Sequence, residues 1–330
     1  MNNSIFVTAQ ELAECLDCNV LGDKNKKVYA IALMNDSTEE TLTYVPSKKI
    51  DDINHIKAGI ILTKASIGLP LHRTYIVTRH EPYELLAKTI NCLISKGLYC
   101  NKSNEQPVIA ESAKISKNVI IENGAVIGNE TTLSAGVVIG ENVVIGNNCL
   151  IGANTVVGSN TIIEDGVSIG SCCSIGTENF EYCKERQGWS KIPVIGNVCI
   201  RNNVIIGGNV VIEKGTIGTT TIGAYTQIEN LVQIGHEVKT GSNCHIVSCV
   251  ALAGWSEIGN NVDIYGQAAV SNNVKVGDNS ILLARAGVDK TIKENSVVSG
   301  FPAQEHIKEM RFQAFLRNLF RKNIKGCEYK

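Results

Sequence analysis

Aliphatic residues recur at every sixth position through the middle two-thirds of the chain. From 115 to 175, all eleven positions spaced six apart are Ile, Leu or Val, and a second register covers 200–212. A third register runs over 222–288, where eleven of the twelve positions are aliphatic and Thr240 is the exception. A period of six fits neither the 3.6 residues of a helical turn nor the alternation of an ordinary strand, so it indicates an internal structural repeat.

This repeat predicts a left-handed parallel β-helix. Each hexapeptide supplies one short strand and one turn, and three hexapeptides, about 18 residues, complete a triangular coil. The aliphatic residue points into the prism, while Gly and Asn take the tight turns at its corners. Some 27 hexapeptides make roughly nine coils, whose strands pair with the coils above and below.

We therefore expect a mainly β fold with three parts. The left-handed β-helix covers 106–302, after a small N-terminal α/β domain over 1–105 and before a C-terminal helical segment over 303–330. The hexad is absent from 177–194, which predicts a loop that leaves the coil wall. A long charged and aromatic excursion from a rigid scaffold is typical of a functional loop, although packing between copies of the chain is the alternative.

The last segment combines an apolar stripe with a basic face. Lys308, Arg311 and Arg317 belong to that basic face. One interpretation is that the stripe packs between copies while the basic face is simply solvated. The other is that the basic face docks an acidic partner.

Composition narrows the classes of function. The formal charge is −1 and aromatic residues make up 5 %, so we expect no nucleic-acid partner. The twelve cysteines form no spaced cluster with histidines, which indicates buried thiols in a reducing cytoplasm and no metal site. Neither a signal peptide nor a transmembrane segment is evident.

His236 is the candidate general base. It follows the inward position Ile234 by two residues, so we expect it at a coil corner, facing outward. One coil further along the chain is Gly254. A backbone N–H without a side chain should thus lie over the imidazole, and a base beside an N–H that stabilises an oxyanion is the minimum equipment for acyl transfer.

At this point the chain resembles the bacterial UDP-3-O-acylglucosamine N-acyltransferases of lipid A biosynthesis. The resemblance spans nearly the whole length, including the segment Glu229–Val238, the exit Ser299–Ala303 and the terminal helix. It implies transfer of a 3-hydroxyacyl group from acyl carrier protein to the 2-amine of a UDP-linked, O-acylated glucosamine. No cofactor is bound in that reaction, because the acyl group arrives on the phosphopantetheine of the carrier. A homotrimer with sites between protomers is also implied.

The resemblance also assigns residues. It implies His236 as base, Gly254 as oxyanion donor, Glu229 as orienting carboxylate, and Lys290 with the basic helix face as the carrier dock. The family's motifs for the nucleotide sugar and the active coil fall on further positions, which are Tyr44, Ser47, Phe180, Tyr182, Asn230, Gln233 and Asn273. Several depart from the family pattern: Ser47 replaces an Asn, Asn273 a second His, and Glu178 to Tyr182 an Asp-Gly-Phe-Gly-Tyr motif.

Two alternatives remain open. A related acyl- or acetyltransferase would act on a different nucleotide amino sugar with a donor such as acetyl-CoA, and it would need an adenine pocket. A binding or scaffolding protein would keep the prism and leave His236 occluded or dispensable.

Overall fold

The computed structural model describes residues 5–64, 69–70, 72–99, 103–185 and 188–323. Contacts within the chain divide it into two compact units. The first comprises the described residues of 1–102, with Glu178–Gly196 and Gly215–Gly218, and the second comprises the rest.

The first unit is a small α/β fold. Helix α1 (Ala9–Leu16) begins at a capping box, in which Thr8 and Glu11 bond reciprocally. A 3₁₀ turn (Pro82–Leu85) leads into helix α2 (Leu86–Ser95). Further 3₁₀ segments span Met34–Asp36 and Ser47–His55. The five-stranded sheet has the spatial order Asn19–Leu21, Thr74–Thr78, Ile60–Lys64, Thr41–Val45, Ala30–Ile31, and Val7–Thr8 pairs separately with Lys27–Val28.

The excursion contributes a β-hairpin to this first unit. Strands Tyr182–Glu185 and Gly188–Lys191 pair antiparallel. Cys183 and Ile192 are buried in the apolar cluster formed by the two helices and the sheet. The segment is therefore structured rather than a bare loop, because its apolar side chains are covered by residues far away in sequence.

The second unit is the predicted parallel β-helix with a C-terminal helix, so the expected fold class is confirmed. Three parallel sheets form its faces, and partners along each uninterrupted face are 18 residues apart, as Gln233 pairs with Ala251 and Ala251 with Ala269. The inward aliphatic residues stack into one continuous core.

The strands of face 1 are, in spatial order, Ile120–Ile121, Val138–Ile139, Val156–Val157, Ser174–Thr177, Val211–Glu213, Gln233–Ile234, Ala251–Leu252, Ala269–Val270 and Gly287–Val288. Those of face 2 are Val108–Ile109, Val126–Ile127, Val144–Ile145, Ile162–Ile163, Asn197–Ile200, Thr219–Ile222, Lys239–Thr240, Glu257–Ile258 and Lys275–Val276. Those of face 3 are Lys114–Ile115, Thr132–Leu133, Leu150–Ile151, Ser168–Ile169, Ile205–Ile206, Gln227–Ile228, His245–Ile246, Asp263–Ile264, Ile281–Leu282 and Val297–Ser299, to which Gln304–Glu305 adds antiparallel.

Helix α3 spans His306–Asn323 and begins three residues later than expected, because Gln304–Glu305 still pairs as a strand. Its apolar side chains are exposed in the protomer, and these are Ile307, Met310, Phe312, Phe315, Leu319 and Phe320. None of the helices in the described part of the chain is long and apolar enough to cross a membrane.

Candidate active site

His236 lies on the turn that follows the face 1 strand Gln233–Ile234. Ile234 is fully buried and anchors this strand in the prism core. The turn is completed by Glu237, which takes a left-handed backbone with φ of 51°. The imidazole keeps 15 % of its surface exposed and meets the ring of Trp255 edge to face at 6.1 Å between centroids. His236 is therefore held at the corner yet remains reachable from outside.

A buried carboxylate holds the imidazole. Glu237 Oε2 lies 2.6 Å from His236 Nδ1, and only 1 % of the Glu237 side chain is exposed. A carboxylate accepts a hydrogen bond from Nδ1–H, which leaves Nε2 of the neutral ring as the proton acceptor. This pair orients the ring as a general base.

Gly254 lies directly against that acceptor nitrogen. A Cβ built on Gly254 would be 2.5 Å from His236 Nε2, far inside ordinary contact distance. Only glycine fits here without moving the ring. The close approach also puts the Gly254 backbone beside the atom that handles the proton.

The Gly254 N–H belongs to the second residue after the inward position Leu252. After several face 2 strands the N–H at this place in the hexapeptide donates to an Asn or Asp side chain one coil further on, as Asn129 donates to Asn147 and Asn260 to Asp278. No acceptor for the Gly254 N–H is found among the described residues. It is a donor with a free direction beside a base, as an oxyanion hole requires.

Glu213 supports the His236 turn from the preceding coil. Its Oε2 accepts from the His236 backbone N–H at 3.2 Å, and its Oε1 accepts from Gln233 Nε2 at 3.2 Å. Burial raises the pKa of the Glu213 carboxyl, although the nearby His236 opposes this shift.

An open groove of about 450 Å³ runs along face 1 from this site. Its floor includes the outward residues Ala251, Ala269 and Gly287, whose small side chains leave space above the sheet. Phe301 covers the far end, since a Cβ on Gly287 would lie 2.0 Å from the Phe301 ring. The groove is thus apolar along its floor, and the exposed Phe301 ring lies at its far end.

The structure does not bring Glu229 to His236. Glu229 Oε2 accepts from Ser248 Oγ at 2.8 Å and from the Ser248 N–H, and its Oε1 lies 3.7 Å from His245 Nε2. The hydrogen bonds from Ser248 lower the pKa of Glu229. Glu229 follows a face 3 strand whereas His236 follows a face 1 strand, so one protomer keeps them at different corners. Within the protomer, the carboxylate that contacts the imidazole is Glu237, and the orienting role of Glu229 stays a prediction.

Other predicted residues of this unit are distributed along the prism. Asn230 lies at the Glu229 corner and accepts from the Gly208 N–H at 2.7 Å, away from His236. Asn273 is exposed on the coil after Gly254, and its N–H donates to the Gly254 carbonyl at 3.2 Å. Lys290 is exposed at the His236 corner three coils further on. Lys308, Arg311 and Arg317 are exposed on α3.

The predicted nucleotide-binding residues Tyr44 and Ser47 make contacts within the first unit. Tyr44 is half-buried on the strand Thr41–Val45, which lies next to the edge strand of the sheet. Ser47 Oγ donates to Glu81 Oε1 at 2.7 Å, and Lys64 pairs with the same carboxylate at 3.3 Å. The hydrogen bonds from Ser47 lower the pKa of Glu81.

The hairpin region carries an aromatic pair, Phe180 and Tyr182, on either side of the Glu181 carboxylate. Phe180, 85 % exposed, stacks on Tyr182 at 4.7 Å between centroids. Glu181 lies between them in sequence, where the family has a glycine. Its carboxylate accepts from the Tyr83 hydroxyl at 2.6 Å through Oε1 and from Thr216 Oγ1 through Oε2. Burial, followed by the hydrogen bond to Glu181, raises the pKa of Tyr83 well above its usual range.

Reasoning from the sequence missed Glu237 and assigned no role to Glu213. The sequence held only a general signal for Glu237. Asn is the commonest residue at the left-handed turn positions of the prism, and Glu237 and Trp255 depart from it, as do Glu130, Tyr225, Leu231 and others. A bulkier residue at such a position costs conformational energy, so a functional reason should be sought. Glu213 acts through backbone contacts that no periodicity reveals.

The comparisons with known proteins concern the repeat and the family. The family called bacterial transferase hexapeptide (six repeats) matches residues 142–177. A UDP-3-O-acylglucosamine N-acyltransferase of Dechloromonas aromatica is 42 % identical over 256 residues, 76 % of this chain and 73 % of the relative. One from Fusobacterium nucleatum is 40 % identical and covers 97 % of this chain and 98 % of its own length. The solved Francisella novicida UDP-N-acetylglucosamine acyltransferase aligns at 25 % identity and a TM-score of 0.47, over 62 % of this chain and 73 % of that one. With full-length identity of this order, the chain is an acyltransferase and belongs to the UDP-3-O-acylglucosamine N-acyltransferase family.

Proposed function

We propose that the chain transfers a 3-hydroxyacyl group from acyl carrier protein to the 2-amine of UDP-3-O-acylglucosamine. The observation that carries the proposal is the close approach of Gly254 to His236 Nε2 at the start of the groove, together with a Gly254 N–H that has no acceptor among the described residues. The relatives' name supplies the acceptor, and the groove supports a long acyl donor.

In the reaction, His236 acts as general base. Nε2 takes a proton from the amine nitrogen as that nitrogen attacks the thioester carbon, and later passes the proton to the departing thiolate. Glu237 stabilises the imidazolium that forms in between, across the 2.6 Å contact to Nδ1. The Gly254 N–H donates to the oxygen that becomes negative in the tetrahedral intermediate.

The acyl chain of the donor lies in the groove along face 1. Neighbouring coils are about 4.8 Å apart, so Gly287 lies roughly 10 Å along the prism from Ala251. An acetyl group would leave this length unused, which favours a long-chain donor over acetyl-CoA. A coenzyme A donor with a long acyl group is the alternative that the groove leaves open.

The carrier protein docks at the exposed cations near the prism's end. Lys290 follows the groove's last strand, and Lys308, Arg311 and Arg317 are exposed on α3. Clustered cations attract an acidic carrier and accelerate encounter. The exposed apolar side chains of α3 support packing between three copies of the chain, because single protomers rarely leave such a stripe uncovered.

The uridine of the acceptor binds the first unit. The proposal assigns stacking to the half-buried Tyr44 and a polar contact to Ser47, with the aromatic pair Phe180 and Tyr182 completing recognition. Asn230 and Gln233 have side-chain amides suited to a sugar, although Asn230 would act at a different corner from His236. Asn273 offers an exposed amide one coil beyond Gly254.

A donor and acceptor screen tests the proposal. The purified chain is incubated with acyl carrier protein or coenzyme A thioesters and with UDP-amino sugars, and the products are identified by mass spectrometry. We expect an amide at the 2-position of UDP-3-O-acylglucosamine with the carrier donor, and its loss in His236→Ala. Absence of an amide with every donor, or full activity of His236→Ala, would refute the proposal.

A further inference from the structure

The groove along face 1 has a single anionic end. Among the described residues that line it, Glu213 is the only ionisable side chain. Most of the others are Ala, Gly, Val or Leu, and the neutral polar side chains are those of Gln233, Ser271 and Asn272. A carboxylate at one end of a largely apolar groove is complementary to a molecule that has a cationic group at one end and a hydrocarbon chain beyond it.

The Glu213 carboxylate retains capacity for a ligand. Each oxygen accepts one hydrogen bond, from Gln233 Nε2 or from the His236 N–H, and a carboxylate oxygen has a second lone pair. The ionisable groups that act on it from the next coil are His236 and Glu237. Thr177, its partner on the preceding strand, is neutral. The Cε of the next residue, Lys214, lies 3.4 Å from a Cβ built on Gly158.

We propose that Glu213 receives the acceptor's amine as an ammonium ion and takes its first proton, so that the site selects amines over hydroxyls. This inference rests on the proposed function. Primary amines of this kind titrate near pH 8, so at neutral pH the acceptor arrives mostly protonated and cannot attack.

Two protons must leave the nitrogen. The first passes from the ammonium to Glu213 and on to solvent, which frees the lone pair. The N–C bond then forms, the C–S bond breaks, and the second proton travels through His236 to the thiolate. Ammonium and thioester thus give amide, thiol and one released proton. A hydroxyl carries one proton and no charge, so it neither pairs with Glu213 as a cation nor needs a first deprotonation by it. The raised pKa of Glu213 suits a proton acceptor.

The Glu213→Gln variant tests the inference while it keeps the hydrogen bonds that hold the His236 turn. Its amide oxygen can still accept from the His236 N–H, and its NH₂ can donate to Gln233 after that side chain turns over. Calorimetry without donor compares UDP-3-O-acylglucosamine with its isostere UDP-3-O-acylglucose. We expect the parent protein to prefer the amine by about tenfold or more, Glu213→Gln to lose this preference, and the face 2 control Glu257→Gln to keep it.

Kinetics separate recognition from a merely structural role. The kcat/KM deficit of Glu213→Gln should be largest at pH 6 to 7 and shrink above about pH 8, where the amine is already neutral. A deficit independent of pH, or an amine preference unchanged by the substitution, overturns the inference. Selective amine binding without acyl transfer would refute the proposed function alone, and failure to bind either UDP-sugar would refute both.

Discussion

The contact between Gly254 and His236 makes a sharp prediction for Gly254→Ala. Gly254 does not have the positive φ that only glycine tolerates well, so the backbone accepts an Ala there. The new methyl group would lie 2.5 Å from His236 Nε2, 2.7 Å from Cε1 and 2.9 Å from Cδ2, where ordinary contact begins at 3.4 Å. The ring must therefore retreat by about 0.9 Å from the nitrogen contact alone.

A displacement of this size is large for a catalytic base. Misplacing a reacting group by about 1 Å costs on the order of a hundredfold in rate, or about 2.7 kcal/mol of transition-state stabilisation. The methyl group also crowds the oxyanion that the Gly254 N–H would bind. We expect kcat to fall at least that far, while the thermal midpoint changes little because the site is at the surface.

Gly266→Ala provides the matched control. Gly266 occupies a turn at another corner, also without a positive φ, and a Cβ there would meet nothing closer than the Ser248 carbonyl oxygen at 3.4 Å. Steady-state transfer assays and thermal melts on both variants decide the matter. Equal loss of activity in the two variants, or Gly254→Ala within twofold of the parent, would refute the assigned geometry.

Three further predictions follow from other contacts. Glu237→Gln should lower kcat about 10- to 100-fold with little change in KM, since it removes the charge beside His236, and a larger loss in Glu229→Gln would contradict the assignment. Phe301→Ala should open the groove above Gly287 and shift products towards longer acyl chains in competition assays with donors of graded length; an unchanged product distribution would argue against Phe301 as the groove's end. Glu213→Gln should raise the thermal midpoint at pH 7 but not at pH 4. Burial raises the pKa of Glu213 above its unfolded value of 4.5, so the parent loses stability as pH rises through that window, and a midpoint raised equally at both pH values would contradict this sign.

The Glu181 contacts change how the altered loop is interpreted. In the sequence, the residue adds a charge to a segment that resembles a nucleotide-sugar loop. In the structure, Tyr83 and Thr216 donate hydrogen bonds to the two carboxylate oxygens, so the side chain is held in one place within its unit. The substitution therefore fastens the hairpin within its unit, and Phe180 and Tyr182 flank a fixed point.

The sequence alone determined the fold and one contact of the site. The period of six defines both the inward residues and the 18-residue pitch, and this pitch places Gly254 over His236 because every coil repeats the last. Periodicity carries that information since stacked coils turn sequence separation into distance.

Only the tertiary structure decided which other groups meet. A carboxylate seven residues before His236 lies at another corner, whereas the adjacent Glu237 turns back onto Nδ1 because its left-handed backbone directs it there. Glu181 meets Tyr83 across 98 positions, and Phe301 folds over Gly287 where the repeat ends. Such contacts join segments outside the repeat, and their distances depend on how side chains pack rather than on any period in the chain.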